Sequence, residues 1–378
     1  MTDQPYGPGF QLDPYPVLTR LRESQPLSRM THPTLGECHL ALRYAHVRSL
    51  VADPRLVKPL EEGDENSLNS APPTHTRLRK LVQQGFTQHR LVEAWPRMQR
   101  VVSDLLDSFA GREVVEMVSE YANPMPMAVI NMMLGVPEAD RPHVIEVATS
   151  FLDGEDEERR AKAYQQAHGY VVELVAAKRR RPGDDVVSDL IAAREGEDRL
   201  SEDELVRLVM TLLVNGVITT TNVIGTGLDL LLRHPDQLAM LRGEPDRMEA
   251  AVEEMLRFEP PVSAVVWTAT EPIDLGDARI GTGEHVVTSF QGANRDPRQF
   301  DDPDRFDATR DPNPHLSFSH GIHHCLGAVL ARMELIAAFQ GLLERYPVLE
   351  PAGEPRWRDS YVVRGLAELS LRVGGAPR

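Results

Sequence analysis

The feature that most constrains the fold is one long apolar run, Leu205 to Arg233, between a start signal and a stop signal. Ser201-Glu-Asp-Glu204 has the spacing of a capping box, in which Ser and Glu side chains satisfy each other's backbone N–H groups. His234-Pro235 ends the run, because a residue before proline is disfavoured in the helical region. About 30 helical residues rising ~1.5 Å each span roughly 45 Å, enough to cross a whole molecule. A helix of that length that is apolar on most sides must run through the core. Its middle, Val214-Asn-Gly-Val-Ile-Thr-Thr-Thr-Asn222, holds a glycine and three threonines. These are poor helix formers, and packing alone does not call for them there.

The remaining pattern is mostly helical. Residues 15–23, 43–52, 75–82, 91–110, 117–134 and 248–258 read as helices, as does the run that ends at Lys178-Arg-Arg-Arg181. That basic cluster suits a helix C-terminus, where cations complement the dipole. Cys38 and its neighbours look like a core strand, residues 262–290 alternate like a small β region, and a β-rich tail follows the helical run Ala328–Phe339 to Arg378. The expected fold class is therefore mainly α with a minor β region, in a single domain over residues 1–378. A net charge of −16 excludes the basic footprint of a nucleic-acid binder. Two distant cysteines provide no disulfide framework. Met1 to Gly9 has no basic or apolar leader pattern, so the expectation is a cytoplasmic protein without a membrane anchor.

Chemistry concentrates in Phe318-Ser-His-Gly-Ile-His-His-Cys-Leu-Gly327, just before a helical run beginning at Ala328. A cysteine ahead of a helix N-terminus sits where backbone N–H groups favour the thiolate. Glycines at 321 and 327 let the backbone turn and approach a flat ligand. Three readings stay open from these residues: a buried structural cysteine, a zinc site using His320, His323, His324 and Cys325, and a single axial bond to haem iron. Two further pairs stand out. His75 and Arg79 share a helix face four residues apart, and Glu254 and Arg257 share one three apart.

The cysteine loop resembles the haem-binding signature of the cytochrome P450 family, through Phe318, Gly321, His323, Cys325 and Gly327. The other landmarks fall in that family's order over essentially the whole chain. The resemblance implies a P450 fold with a long central helix over haem b, with Cys325 as the iron ligand. His75, Arg79 and His323 would hold the haem propionates, with Phe318, Gly321 and Gly327 shaping the loop. Glu254 and Arg257 match the family's buried pair, and Arg305 matches the arginine that joins it. Trp267 stands where the family tends to place another propionate-binding arginine.

The long helix departs from the family pattern. Gly216 and Thr219 match, but Ile218 replaces the acid of the acid–alcohol pair that relays protons, and Asn215 replaces a small residue. One expectation is oxidative coupling of aromatic groups in a short peptide or cyclic dipeptide, because such chemistry inserts no oxygen. The alternative is an ordinary monooxygenase hydroxylating a hydrophobic natural product. A non-catalytic docking partner is a third class, and it would typically lose the cysteine. Asn215, Ile218 and Thr219 are the candidate catalytic residues. Substrate contacts are expected from Val217, Val262, Val265, Val266, Trp267, the loop at 59–74, which looks short for the family and so would leave the site open, and the 150s. The resemblance also implies O2 as co-substrate and a ferredoxin with its reductase as electron donors, with Arg77, Lys80 and Arg90 as candidate contacts.

Overall fold

The computed structural model describes residues 5–6, 9–32, 34–59, 67–144, 157–192, 200–358, 360 and 363–375. Its helices are α1 Tyr15–Ser24, α2 Tyr44–Leu50, α3 Thr74–Gln83, α4 Gln88–Asp107, α5 Pro124–Met133 and α6 Glu157–Arg180. They continue as α7 Val186–Ala192, α8 Glu202–Arg233, α9 Pro235–Gly243, α10 Met248–Phe258, α11 Phe290–Ala293 and α12 Ala328–Arg345. A five-stranded sheet contains β1 Leu27–His32, β2 Gly36–Ala41, β3 Leu56–Val57, β5 Ala264–Ala269 and β8 His285–Ser289, in the order β1-β2-β8-β5-β3. Between these in sequence lie β4 Val114–Glu116 and the hairpin β6 Ile273–Asp274 with β7 Arg279–Ile280. After α12, β9 Val348–Pro351, β10 Arg356–Trp357, β11 Leu366–Glu368 and β12 Ser370–Gly374 complete the tail, and β12 joins β4 to β9. Mainly α with a minor β portion is thus the observed class.

α8 is the long helix read from the sequence. Both halves of its capping box form: Ser201 Oγ accepts from the Glu204 N–H at 3.1 Å, and Glu204 Oε2 accepts from the Ser201 N–H at 2.8 Å. The same Glu204 takes an ion pair from Arg77, which ties α3 to the start of α8. α8 is long and apolar enough to cross a membrane, yet 67% of its most apolar stretch is buried inside the molecule. α5, α6, α10 and α12 pack against it, and α4 packs on α5 and α12 in the same continuous core. Cys38 is a fully buried strand residue, as expected. The basic cluster ends α6, where Lys178 pairs with Asp185 at 2.5 Å and Arg179 pairs with Glu202.

Glu254 and Arg257 are both fully buried and bonded bidentately at 2.7 and 2.8 Å. Such a pair is stable only if every remaining donor and acceptor finds a partner. Arg257 donates to the carbonyls of Asn294, Pro303 and Arg305, and Glu254 accepts from the Asp307 N–H and Asn313 Nδ2. The joining arginine is Arg310, 3.2 Å from Glu254, and not Arg305. Arg305 contributes only its carbonyl and its side chain is exposed, because it follows a turn that points the side chain to solvent while Arg310 closes back over the carboxylate. Arg310→Ala should therefore cost about 1–3 kcal/mol, whereas Arg305→Ala should stay within about 0.5 kcal/mol. Urea midpoints of the two variants check this, and equal losses would restore Arg305 to the network.

Candidate active site

α8, α3, the start of α12 and the loop before α12 enclose a cavity with ≈ 960 Å³ of space free of protein atoms, counted to its open mouth. His75, Arg79, Asn215, Thr219, Cys325 and Glu334 are on its wall. Residues from three separate sequence stretches thus meet at one place.

The cysteine loop is held from within. The Cys325 N–H donates to the Phe318 carbonyl at 2.8 Å, and the Arg79 guanidinium donates to the His324 carbonyl at 2.7 Å. The thiol opens into the cavity three residues before α12. Burial pushes it up, against the Gly327 backbone N–H and the Arg79 and Arg332 charges. The lowering expected from the helix N-terminus is thus outweighed in the bare protein, although a coordinating metal deprotonates a thiol outright. Gly327 is on the wall, and a Cβ there would meet only open space. Gly321 has a different role from the one expected. Its φ of 72° and a Cβ position only 2.9 Å from the Ala52 Cα both demand glycine, and it does not reach the cavity. Phe318 is also off the wall, with its ring 4.3 Å from the Arg332 guanidinium, where it braces the loop. Among the described residues no three His, Cys, Asp or Glu side chains group as a metal site, so the zinc alternative finds no geometry.

Basic groups crowd one part of the cavity. The His75 and His323 rings lie 4.5 Å apart, with Arg79 and Lys58 on the same wall. Burial and the Arg79 and Lys58 charges hold His75 below the usual imidazole range. His323 is depressed to about 3, first by burial and then by Lys58, His75 and Arg79. His75 Nδ1 is buried without a hydrogen-bond partner. Lys58 escaped the sequence reading, because its neighbours at the cavity are far away along the chain.

On the α8 side, Thr219 Oγ1 donates to the Asn215 carbonyl at 3.0 Å, turning the helix's own backbone bond into a shared one. Thr220 Oγ1 donates to Glu334 Oε2 at 3.1 Å. Burial pushes the Glu334 carboxyl up to about 8, with the Thr220 bond pulling against it. Its Oε1 is buried without a partner, and among the described residues it has no ion pair. Nothing in the sequence around Glu334 distinguishes it from an ordinary helix-surface glutamate.

Several expected residues are not on this wall. Ile218 is half-buried and off the cavity, and Val217 is packed in the main core. Val262 and Val265 pack against one satellite cluster and Val266 against another, while Trp267 is fully buried with its indole N–H on Thr288 Oγ1 at 3.0 Å. The apolar wall comes instead from Leu68, Phe86, Ile130 and Leu212. Residues 60–66 of the expected contact loop, and 145–156, lie outside the described residues. Of the candidate docking cations, Arg77 pairs with Glu204, and Arg90 pairs with Asp184 and Asp189 at 2.9 and 2.5 Å.

A family model described as Cytochrome P450 matches residues 114–365. The chain is 40% identical to the cytochrome P450 monooxygenase PikC of Streptomyces venezuelae, over 97% of this chain and 92% of that one. It is 37% identical to the 6-deoxyerythronolide B hydroxylase of Saccharopolyspora erythraea, over 97% of both. Among solved structures, PksS, the cytochrome P450 of the Bacillus subtilis bacillaene polyketide synthase, superposes with a TM-score of 0.92 at 31% identity, over 99% of this chain and 100% of that one. An identity of this size over nearly the full length, joined to the thiol, the basic cluster and the long central helix, places the chain in the cytochrome P450 family.

Proposed function

We propose that residues 1–378 act as one unit, a haem-thiolate monooxygenase that inserts an oxygen atom into a hydrophobic natural-product molecule. One observation carries the reading: a single cavity joins an open thiol, a basic cluster with an orphaned imidazole nitrogen, and a neutral buried carboxyl beside two threonines. Haem b, the cofactor of the family, fits these residues. Cys325 would bind its iron, and His75, Arg79 and His323 would hold its acid groups, beside the space that Gly327 leaves open. When bound, the haem supplies the oxidising power, using O2 and electrons from outside. A ferredoxin and its reductase are the proposed electron source.

The protein's own part is to seal, orient and protonate. Leu68, Phe86, Ile130 and Leu212 keep water out and favour an apolar substrate. Asn215 offers an amide to orient it. Glu334 holds a proton at neutral pH: Thr220 occupies Oε2, which leaves Oε1 to carry the hydrogen. Thr219 puts a hydroxyl on the wall next in sequence to Thr220. The acid missing at 218 is thus supplied from α12, in direct contact with α8 through Thr220.

Oxidative aryl coupling loses its premise on this reading. Ile218 implied a site short of protons, and Glu334 provides one. The relatives above are named as a monooxygenase and a hydroxylase, which supports oxygen insertion. Product mass decides between them. Turnover of hydrophobic lactones and of aromatic dipeptides should give products one oxygen heavier than substrate, and products two hydrogens lighter would overturn the proposal.

Two variants test the assigned roles. Cys325→Ser should abolish both oxygen insertion and the thiolate-type carbonyl spectrum of the reduced enzyme; retained activity would remove Cys325 as the ligand. Glu334 has a raised carboxyl, so it is protonated below about pH 8 and ionised above it. Product formed per electron pair should fall as the pH rises through about 8, with the balance lost as peroxide. Glu334→Gln keeps an acceptor for Thr220 but has no acidic proton. It should lower product yield at pH 7 by about tenfold or more and flatten the pH profile. An unchanged yield and profile would show that protons arrive by another route.

A further inference from the structure

β3 and β5 pair antiparallel, with Leu56 opposite Ala269 and Val57 opposite Thr268. Continuing that register by one residue sets Lys58 opposite Trp267. Residues opposite one another in a sheet have their side chains on the same face. The Lys58 ammonium indeed lies 6.0 Å from the Trp267 ring centroid, a cation over an aromatic face. Trp267 itself cannot hold an acid group. It is 2% exposed, it is off the cavity wall, and its one polar hydrogen is spent on Thr288. Its ring is the aromatic platform beneath the lysine's ammonium.

The tip of Lys58 reaches the cavity wall together with His75, Arg79 and His323. It donates to Asn69 Oδ1 at 2.8 Å, and Asn69 is on the same wall. Lys58, Arg79 and the two imidazoles thus converge from β3, α3 and the cysteine loop. Two cations and two imidazole rings gathered on one partly desolvated wall make a place suited to an anionic group.

We propose that Lys58 anchors an acid group of the bound haem, supplying from β3 the charge that the family's arginine would supply from β5 at position 267. The inference rests on the haem-binding reading above. A lysine gives a single mobile point charge where an arginine gives a fixed fork. The contact should therefore be electrostatic, dependent on the ionised acid group and tolerant of Lys-to-Arg exchange.

Haem transfer from the holoenzyme to excess apomyoglobin reads the anchor directly, through the change in Soret absorbance. Lys58→Met should release haem about tenfold faster than the wild type, the loss of one charged hydrogen bond, while Lys58→Arg should stay within about twofold. Enzyme loaded with haem dimethyl ester, which has no ionised acid groups, should lose its ligand at the same rate with or without Lys58. Equal haem release from wild type and Lys58→Met would overturn the proposal. So would a tenfold effect that persists with the ester, because that would mark a packing role for the stem. Should Lys58→Met not accumulate as holoenzyme, Lys58→Gln gives the same comparison with length and polarity kept. A wild-type chain that takes up no haem would instead refute the monooxygenase reading itself.

Discussion

The buried contact between Glu254 and Arg257 sets the conditions for the whole proximal side. Two charges taken completely out of water cost several kcal/mol each, and their mutual attraction offsets this only when every other polar atom is also matched. α10 cannot supply those matches, since its own carbonyls are used within the helix. The irregular chain from Asn294 to Asn313 must therefore wrap around the pair, offering carbonyls to Arg257 and N–H donors and Arg310 to Glu254. That wrapping fixes where the next segment starts, and the next segment is the cysteine loop. The neighbouring Glu253 extends the effect: it binds Arg332 of α12 at 2.7 and 2.8 Å and His315 at 3.2 Å. Arg332 in turn lies over Phe318, whose carbonyl receives the Cys325 N–H. The thiol is thus positioned through α10, several contacts away from any ligand.

The opposite wall obeys a different constraint. α8 must satisfy its backbone by its own hydrogen bonds, because it runs through the core, yet it must also present polar groups to a cavity. Threonine meets both demands. Thr219 and Thr226 return their hydroxyls to carbonyls one turn back, at 3.0 and 2.9 Å, while Thr220 reaches out to α12. Gly216 lets α5 come close, since a Cβ there would stand 3.1 Å from Ile130. The residues that looked unsuitable for a helix are those that let a core helix double as a cavity wall.

Local signals were legible in the sequence to the extent that they are local. The capping box at Ser201, the stop at His234-Pro235, and the pairs His75/Arg79 and Glu254/Arg257 depend on spacing within one helix, and each lies where that spacing puts it. The cysteine loop was legible as a site, but its parts were not. Gly321 and Phe318 serve the loop's own geometry, and a linear pattern cannot tell a residue that faces a ligand from one that shapes the backbone. Arg310 was missed in favour of Arg305 for a similar reason. Both lie in a segment without helix or strand period, so nothing along the chain indicates which side chain turns inward. Val217, Val262, Val265 and Val266 were placed by their neighbourhood to known landmarks, whereas Val217 is in the main core and the three others, partly buried, pack against the satellite clusters.

Glu334 and Lys58 escaped notice because their meaning comes entirely from burial and from partners far along the chain. Glu334 falls in an unremarkable helical run, and only the closure of α12 against α8 removes it from water and keeps it neutral. Lys58 follows a two-residue strand, and only the β3–β5 register brings it over Trp267. In both cases the group stands in for a residue type that is absent from its expected place, an acid at 218 and an arginine at 267. Such relocation is physically easy. A cavity needs a proton store or a positive charge at a point in space, and several elements border that point. The chemistry of this site is therefore better described by what surrounds the cavity than by agreement at any single position of the chain.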